Sequence, residues 1–412
     1  MSDTLNQSGA GNPPGLGGSL LATRAANTLR YSLMNIFILA GTAAIAWGGP
    51  LTFSGLIFSF VLVGYVDELF GDAANKEAMP PVWYCQTMLF ATLPLLIFAT
   101  LVAFNVTSPH GFAWLDAVSG AVGIDPDAAR ARTNGFFLWN EGAYVSLGMY
   151  YGAAGVNVSH ELIHRMDKPF DRLFGTWLLA FTWDTGFAIE HVYGHHRNVG
   201  TELDPATARR GEYIVAFVWR STTGQWLAAK RFEDERLRRK GQPNNLWTNR
   251  FWRNQLMTVV VALFYMAFLG PIGLVMFAFA GAIGKIYLEV VNYIEHYGLV
   301  RIPGTRVEAR HSWDSHRRVS GGMFYNLMLH ANHHKIATRR FWELEQSPPE
   351  EAATLPRGYM AMILFAFLGP PFFRYINRHL AGWDRNLASP EEVAYLKGKG
   401  LYLGGLLEEQ AA

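Results

Sequence analysis

The sequence predicts an all-α integral membrane protein with six transmembrane helices in three hairpins and a helical cap on the cytoplasmic side. Three observations lead to this prediction. Half of the 412 residues are hydrophobic and only 17% are charged, a composition that is unusual for a soluble chain. Several apolar runs approach the ~20 residues that a helix needs to cross a bilayer. Nine of the 13 histidines fall into four short boxes, each beside the end of an apolar run.

Apolar runs account for the six crossings in chain order. The first four runs are residues 31–47, 51–65, 87–104 and 136–156. The sequence GGP at residues 48–50 separates the first two runs and predicts a tight hairpin. The last run, residues 255–291, is too long for one crossing and short for two. The sequence LGP at residues 269–271 divides it, because proline disrupts a helix interior, and two crossings are therefore predicted.

Six crossings place both termini and all four histidine boxes on one side of the membrane. Arg24 and Arg30 precede the first helix, and the basic run KRFEDERLRRK at residues 230–240 lies in a long polar segment. Cytoplasmic loops are enriched in such residues, so we expect an inner (cytoplasmic) membrane protein with a cytoplasmic active site. The basic run is either an ordinary solvated face or a docking surface for an acidic electron donor.

The chain is expected to form a single domain. Residues 1–24, rich in Gly, Ser and Asn, predict a disordered tail, and residues 25–412 a membrane-embedded domain. Its cytoplasmic cap is expected at about residues 158–254 and 296–412. A cleaved signal peptide is disfavoured, because no clear small-residue cleavage site accompanies the first apolar run.

Composition excludes several classes of protein. The chain has one cysteine, Cys85, which rules out a disulfide framework, a CxxC redox pair, a fused rubredoxin and a four-cysteine iron–sulfur cluster. A net charge of +2, without a basic-aromatic recognition motif, gives no indication of nucleic-acid binding. The 13 Trp and 17 Tyr are typical of membrane interfaces.

The histidines have spacings that favour metal binding. In HELIH, for example, His160 and His164 lie one helical turn apart on the same face. Neutral imidazole is a metal ligand, and metal binding is the natural reason to crowd rings that would otherwise compete for partners. The nine box histidines are His160, His164, His191, His195, His196, His296, His330, His333 and His334.

The identity of the metal stays open at this point. HExxH on a helix also suggests a zinc peptidase with Glu161 as its base. A catalytic zinc takes only three protein ligands, however, so one zinc cannot use nine histidines. Two metals with four or five imidazoles each can do so. Imidazole suits iron, copper, nickel and zinc alike, so the spacing predicts two metals without naming them.

Acidic neighbours of the boxes are candidate partners for the imidazoles. Glu161, Glu190 and Glu295 each lie next to a box histidine. They are either plain helix-surface carboxylates or acceptors for the imidazole N–H groups, and we expect the second role. Four other histidines are expected to lie outside the metal site: His110, His311, His316 and His379.

With these boxes the chain resembles the membrane-bound non-haem diiron hydroxylases, specifically the alkane 1-monooxygenase family, from about Arg30 to Trp383. The most specific segments are NYIEHYGLVR at residues 292–301 and HSWDS at residues 311–315. DELFG, GTELDPATARRGE and LPRGY are supporting matches. The xylene monooxygenase hydroxylase component is a close relative, and the membrane fatty acid desaturases are more distant ones.

The resemblance implies that all nine box histidines ligate two iron ions that cycle between Fe2+ and Fe3+. It also makes Asn292, Glu295 and Tyr297 part of the packing around the site. It implies O2-dependent terminal hydroxylation of an alkane or alkyl side chain to a primary alcohol. Electrons would come from NAD(P)H through a reductase and a rubredoxin or ferredoxin-type donor.

Two departures from the family pattern concern the substrate. Val307 stands where the family usually has Tyr, and Asn332 where alkane hydroxylases usually have Asp, which leans toward the xylene-type branch. A membrane fatty acyl desaturase or hydroxylase is a further alternative. A metal-transporting channel is disfavoured because it would need ionisable residues in the spans. The spans contain few: Glu141, Lys285 and Glu289.

Overall fold

A computed structural model describes residues 16–74 and 79–407 of the chain. The described residues are mostly helical. The helices longer than ten residues are Leu16–Trp47, Val82–Thr107, Phe137–Tyr150, Pro169–Ala180, Ile214–Arg239, Arg250–Leu269, Pro271–His296 and Pro370–Asn386. Five described segments are long and apolar enough to cross a bilayer: Ala25–Trp47, Gly49–Phe70, Val82–Thr107, Arg250–Leu269 and Pro271–His296.

The first apolar helix begins earlier than the sequence predicts. It starts at Leu16, so the last part of the tail predicted to be disordered, residues 16–24, is helical. Residues 1–15 of that tail lie outside the described residues. The helix continues without interruption to Trp47, and Gly48 then reverses the chain as the GGP sequence predicts.

The predicted break in the last apolar run lies at Gly270. The helix Arg250–Leu269 ends there, and Gly270 has a φ of +68°, a left-handed conformation that favours glycine. Pro271 then begins the next helix, where its fixed φ suits the first turn. One boundary differs from the sequence prediction. His296 was expected just beyond this helix, whereas it is the last helical residue.

The fourth predicted crossing, residues 136–156, forms a helix that is not among the five apolar segments named above. It consists of the α-helix Phe137–Tyr150, the π-helical segment Tyr151–Val156 and the α-helix Asn157–Ile163. Residues 146–160 are all buried. A helix enclosed by other helices does not need an apolar outer surface, so glycines, tyrosines and polar residues replace the aliphatic ones.

This enclosed helix runs beside Pro271–His296 in the same direction. A Cβ atom on Gly148 would lie 2.6 Å from the carbonyl oxygen of Ala280, and one on Gly152 would lie 2.6 Å from Cβ of Tyr287. Small residues let transmembrane helices approach closely, which is why glycine is needed at both contacts. The pairing brings the C-terminal ends of both helices to the same end of the bundle.

Several of the remaining elements cover that end of the bundle. Two short parallel strands, Trp313–Asp314 and Ala353–Thr354, lie among helices. Asp67 accepts a hydrogen bond from the backbone N–H of Ser320, which ties the cap to the second apolar segment. Shorter helical segments are Gly49–Phe53, Ser54–Ile57, Phe58–Val63, Gly64–Phe70, Ala113–Ala121, Pro126–Asn134, Phe187–Glu190, His191–His195, His196–Asn198, Ala309–His311, Arg318–Met323, His330–Lys335, Phe341–Glu343, Tyr359–Ala366, Pro390–Gly398 and Gly404–Leu407.

Candidate metal centre

All nine box histidines meet at one end of the helix bundle, in two groups that could each hold a metal ion. Within each group, the ring nitrogens available as ligands lie within 4.8 Å of one another. The five-histidine group consists of His160, His164, His191, His196 and His333. The four-histidine group consists of His195, His296, His330 and His334.

Each of the two parallel helices contributes histidines to a different group. His160 lies in Asn157–Ile163, and His164 caps the end of the same helix. His296 ends the neighbouring helix Pro271–His296. The close glycine contacts lower in the bundle therefore determine how near the two groups can come to each other.

A π-helical turn brings two histidines of the second box into the same group. His191–His195 is π-helical, and the backbone N–H of His196 donates to the carbonyl oxygen of His191, five residues earlier. This turn brings the ring of His196 beside that of His191, with their Nε2 atoms 3.1 Å apart, and both belong to the five-histidine group. The ring of His195 stacks on that of His191, with centroids 5.0 Å apart, but its ligand nitrogen belongs to the four-histidine group.

The ring nitrogens of the five-histidine group cannot satisfy one another. Nε2 of His191 lies 3.1 Å from Nε2 of both His164 and His196. Nε2 of His196 also lies 3.1 Å from Nε2 of His333. A neutral ring nitrogen carries either one proton or one lone pair, so it cannot bond to two such neighbours at once. A cation that accepts several lone pairs removes this conflict.

The four-histidine group has the same pattern. Nε2 of His330 lies 3.0 Å from Nε2 of His334 and 3.1 Å from Nε2 of His296. Nε2 of His334 lies 3.3 Å from Nε2 of His195. Within the described part of the chain, Nε2 of His160 has no hydrogen-bond partner at all. The donor set therefore fits a metal ion in each group.

Burial keeps the imidazoles in the form that binds metal. Burial lowers the pKa of His164 to about 3. It also lowers the pKa of five other rings well below the ordinary value, and repulsion from neighbouring imidazoles adds to the effect. These five are His191, His196, His330, His333 and His334. All six are neutral near pH 7, so their lone pairs are free for a cation.

A mainly apolar cavity meets both histidine groups. His160 and His191 of the five-histidine group line it, as does His330 of the four-histidine group. The enclosed helix and the helix Pro271–His296 form two of its walls. Apolar side chains of the lining include Val156, Phe187, Leu288, Val291, Phe324 and Leu327. The cavity therefore presents a mainly apolar lining beside both histidine groups.

Several known proteins are similar to this chain in sequence. Residues 136–366 match the family described as Fatty acid desaturase. The chain is 33% identical to alkane 1-monooxygenase 2 of Pseudomonas aeruginosa over 364 residues, covering 84% of this chain and 89% of that protein. The chain belongs to the alkane 1-monooxygenase family.

Two further relatives define the range of the family. The alkane 1-monooxygenase of Acinetobacter baylyi is 34% identical, over 81% of this chain and 77% of that protein. The xylene/toluene monooxygenase hydroxylase component of Pseudomonas putida is 28% identical, over 89% of this chain and 92% of that protein. The family predicted from the sequence is thus confirmed, and the alkane 1-monooxygenase relatives identify the chain as a monooxygenase.

One acidic partner of this monooxygenase's histidines was missed from the sequence. Asp204 is buried, and its carboxylate lies 2.9 Å from Nδ1 of His195. A carboxylate there accepts the Nδ1 proton and turns Nε2 toward the metal position. Thr207 donates a second hydrogen bond to Asp204. Asp204 lies in the segment GTELDPATARRGE, so the resemblance contained the only signal that could have indicated it.

The three glutamates expected to contact imidazoles behave differently. The carboxylate of Glu295 lies 3.3 Å from Nε2 of His330, the nitrogen that faces the other rings of its group, so it contacts the candidate ligand atom and not the outer N–H that was expected. Glu295 also accepts a hydrogen bond from Tyr359. Glu161 instead accepts hydrogen bonds from Arg165 and from the backbone N–H of Phe341. Adjacency in sequence points these side chains away from the ring beside them, because neighbouring helical residues face different directions.

Glu190 and Asn292 each have a side-chain atom without a hydrogen-bond partner among the described residues. Glu190 is buried, and in the described structure its Oε2 atom has no hydrogen-bond partner. Its expected contact with an imidazole is therefore not observed. Asn292 lines the apolar cavity instead of contacting a box histidine. Tyr297 accepts a hydrogen bond from the backbone N–H of Gly211 and so helps to hold the cap in place.

The histidines left out of the predicted site lie outside both groups. His311 contacts Glu392 at 2.9 Å, and His316 lies 3.6 Å from Asp314. His379 packs its ring against Tyr375. Neither these three nor His110 belongs to a metal-holding group of the described residues.

Proposed function

We propose that the protein is an O2-dependent hydroxylase that converts an apolar hydrocarbon, either an alkane or an alkyl side chain, into a primary alcohol. Its relatives are named as alkane 1-monooxygenases and as a xylene/toluene monooxygenase component, which favours this activity. The observation that carries the proposal is the position of both histidine groups at one apolar cavity.

We assign one iron ion to the five-histidine group and one to the four-histidine group. An unactivated methyl group has no leaving group and no acidic proton, so acid–base catalysis alone cannot attack it. When bound, the iron pair would supply redox chemistry toward O2, cycling between Fe2+ and Fe3+, which zinc cannot provide. The protein's part is to hold the imidazoles neutral and correctly turned. Asp204 assists in this orientation through Nδ1 of His195.

The cavity positions the hydrocarbon and excludes water. Its walls are mainly apolar, so the free energy of a hydrocarbon chain falls when the chain moves into the cavity from water or from among lipid headgroups. His160, His191 and His330 mark the end where the reacting carbon must lie. The position of this end, between two parallel helices, favours attack on a terminal methyl group over attack on internal carbons.

For the membrane arrangement we propose six crossings in three hairpins. Besides the five apolar segments, the fourth crossing in chain order is the enclosed helix of residues 137–163, which runs beside Pro271–His296 in the same direction. Residues 25–412 then form one membrane-embedded domain, with a cap at about residues 158–254 and 296–412. Both termini and the metal centre lie on the cytoplasmic side of a bacterial-type inner membrane.

Electrons come from NAD(P)H through a reductase and a rubredoxin or ferredoxin-type donor. The basic run at residues 230–240 is a weak docking candidate, because four of its six cations pair with carboxylates of the same helix. Lys230 pairs with Asp234, and Arg238 pairs with Glu235. Such i,i+3 and i,i+4 pairs are typical of a solvated helix face. We therefore favour the solvated-face interpretation for this run.

Labelled oxygen tests the proposed function directly. Membranes that contain the protein would be supplied with NADH, reductase, rubredoxin and 18O2, together with an alkane, a methylbenzene or a fatty acid. The proposal predicts a primary alcohol that carries one labelled oxygen. Preparations that hold two iron ions per chain but give no oxygenated product from either hydrocarbon would contradict it.

Two alternatives have support of their own. The xylene-type reading is favoured by the 28% identical relative, which is aligned over 92% of its length. It predicts benzylic alcohol from methylbenzenes and little product from alkanes. The match to the fatty acid desaturase family favours an acyl-chain desaturase or hydroxylase. That reading predicts an alkene or a hydroxyacyl chain from the fatty acid and no alcohol from either hydrocarbon.

A further inference from the structure

Two buried asparagines line the otherwise mainly apolar cavity. Asn157 begins the helix Asn157–Ile163 and lies about one turn before His160. Asn292 lies three residues before Glu295 in the helix Pro271–His296. Both side chains are almost fully enclosed, with exposures of 7% and 4%. Two amides in such a cavity require a reason, since hydrocarbon cannot bond to them.

The two asparagines approach the cavity from different walls. The enclosed helix and Pro271–His296 run in the same direction, and Gly152 meets Tyr287 where they touch. About one further turn along each helix leads to Asn157 and to Asn292. The cavity therefore has one amide on each of two neighbouring walls, close to the histidine groups.

Three of their four polar side-chain atoms have no partner among the described residues. Among the described residues, Nδ2 and Oδ1 of Asn157 and Nδ2 of Asn292 have no hydrogen-bond partner. By contrast, the buried Asn326 donates to the carbonyl of Phe341 and accepts from Tyr31. Buried amides without partners destabilise a protein, so native structures retain them where a ligand bonds to them.

The donor and acceptor atoms indicate the chemical class of that ligand. An amide offers N–H donors and an oxygen acceptor, which together match a hydroxyl group that accepts and donates. Given the proposed function, on which this inference rests, the hydroxyl compound formed in the cavity is the primary alcohol. We propose that Asn157 and Asn292 form a hydroxyl-binding site that retains this alcohol beside the metal centre.

The first test uses the unaltered holoenzyme and three ligands of similar length: 1-octanol, heptyl methyl ether and nonane. Each is measured as a competitive inhibitor of hydrocarbon hydroxylation and by its effect on the melting temperature of the detergent-solubilised protein. We expect the alcohol to bind about tenfold more tightly than nonane. The ether should bind with intermediate strength because it accepts a hydrogen bond but cannot donate one. Equal binding of all three, as expected if the amides hold only water, would overturn the proposal.

The second test changes the amides. In N157L and N292L we expect the inhibition constant of 1-octanol to rise about tenfold, while KM for the hydrocarbon stays constant or falls. V291L is the matched control, since it alters the same wall without removing an amide, and it should shift both constants together. If N157L and N292L also shift both constants together, the asparagines only shape the cavity and the proposal is wrong.

The outcomes separate this inference from the proposed function. If the protein makes labelled alcohol but binds the three ligands equally, only the hydroxyl site is disproved. If it makes no alcohol from any hydrocarbon, the proposed function fails, and the inference that rests on it fails as well. If a leucine variant does not fold, the ligand series on the unaltered protein still decides the question.

Discussion

Two buried polar clusters in this bundle differ in whether their polar groups can all pair with one another. The first contains Lys285, whose Nζ atom lies 2.6 Å from Asp184 and 2.6 Å from Glu289. Gln225 donates hydrogen bonds to both oxygens of Glu289. The second contains the nine box histidines, whose ring nitrogens face one another at hydrogen-bond distances that they cannot all use.

The difference teaches which buried polar groups are structural and which await a ligand. In the Lys285 cluster the ammonium group pairs with both carboxylates, so the cluster is held together by its own side chains. Identical neutral rings cannot do this, and only a cation can complete them. The same reasoning explains why Lys285 and Glu289 do not indicate an ion channel, since both are engaged with neighbouring side chains.

The largest effect is expected from removing one ring of the histidine cluster. H334A takes a ligand from the four-histidine group, and we expect hydroxylation to fall by at least about 100-fold because one metal is held weakly or lost. Iron content by elemental analysis should fall toward one ion per chain. H379A is the control, since that ring packs on Tyr375 outside both groups. Equal loss in both variants would show that the cluster has no special role.

The next largest effect is expected from removing the cation of the Lys285 cluster. K285M leaves the buried carboxylates of Asp184 and Glu289 without their cation, which should lower the free energy of unfolding by about 3 to 5 kcal/mol. K230M removes a cation from an exposed pair with Asp234 and should cost less than about 1 kcal/mol. Melting temperatures in detergent measure both.

The same variants test whether the Lys285 cluster and the metal centre are independent of each other. The folded fraction of K285M should keep its full iron content, because the Lys285 cluster supplies no ligand. A variant that keeps its melting temperature but loses iron would show that the cluster serves the metal centre instead of the fold.

A smaller effect is expected from the carboxylate that turns His195. D204N keeps the side-chain size but removes the charge, and metal affinity should fall about 10- to 100-fold. The change is measured by competition with a chelator. E202Q, two residues away on an exposed side chain, should leave the affinity unchanged. If D204N retains full affinity, Asp204 serves to order its loop, where it also bonds to Thr207.

The smallest effect concerns a carboxylate at the edge of the cap. Hydrogen bonds from Arg236 and Arg250 lower the pKa of Glu233 to about 2, against burial, which acts in the opposite direction. A lowered carboxyl pKa stabilises the fold above about pH 4.5, and this contribution disappears as the pH falls toward 2. We expect E233Q to lose about 1.5 kcal/mol at pH 7 and less at pH 3. A difference that grows on acidification would contradict this.

The sequence by itself was enough for the main elements and for the composition of the metal site. Apolar runs and the LGP break predicted the helices because both depend on local properties, namely side-chain transfer into lipid and the fixed φ of proline. The histidine spacings predicted two metals because too many imidazoles lay together for one zinc. These inferences needed no knowledge of which residues meet in space.

The assignment of each histidine to one of the two groups depends on the tertiary structure. A π-helical turn brings His196 beside His191, and Asp204 reaches His195 across a loop, neither of which a regular α-helical period can indicate. The sequence predicted a crossing at residues 136–156, but only the structure shows that other helices enclose it, with residues 146–160 all buried. Periodicity reports how a segment faces its surroundings, whereas a binding site depends on distances between segments that folding alone brings together.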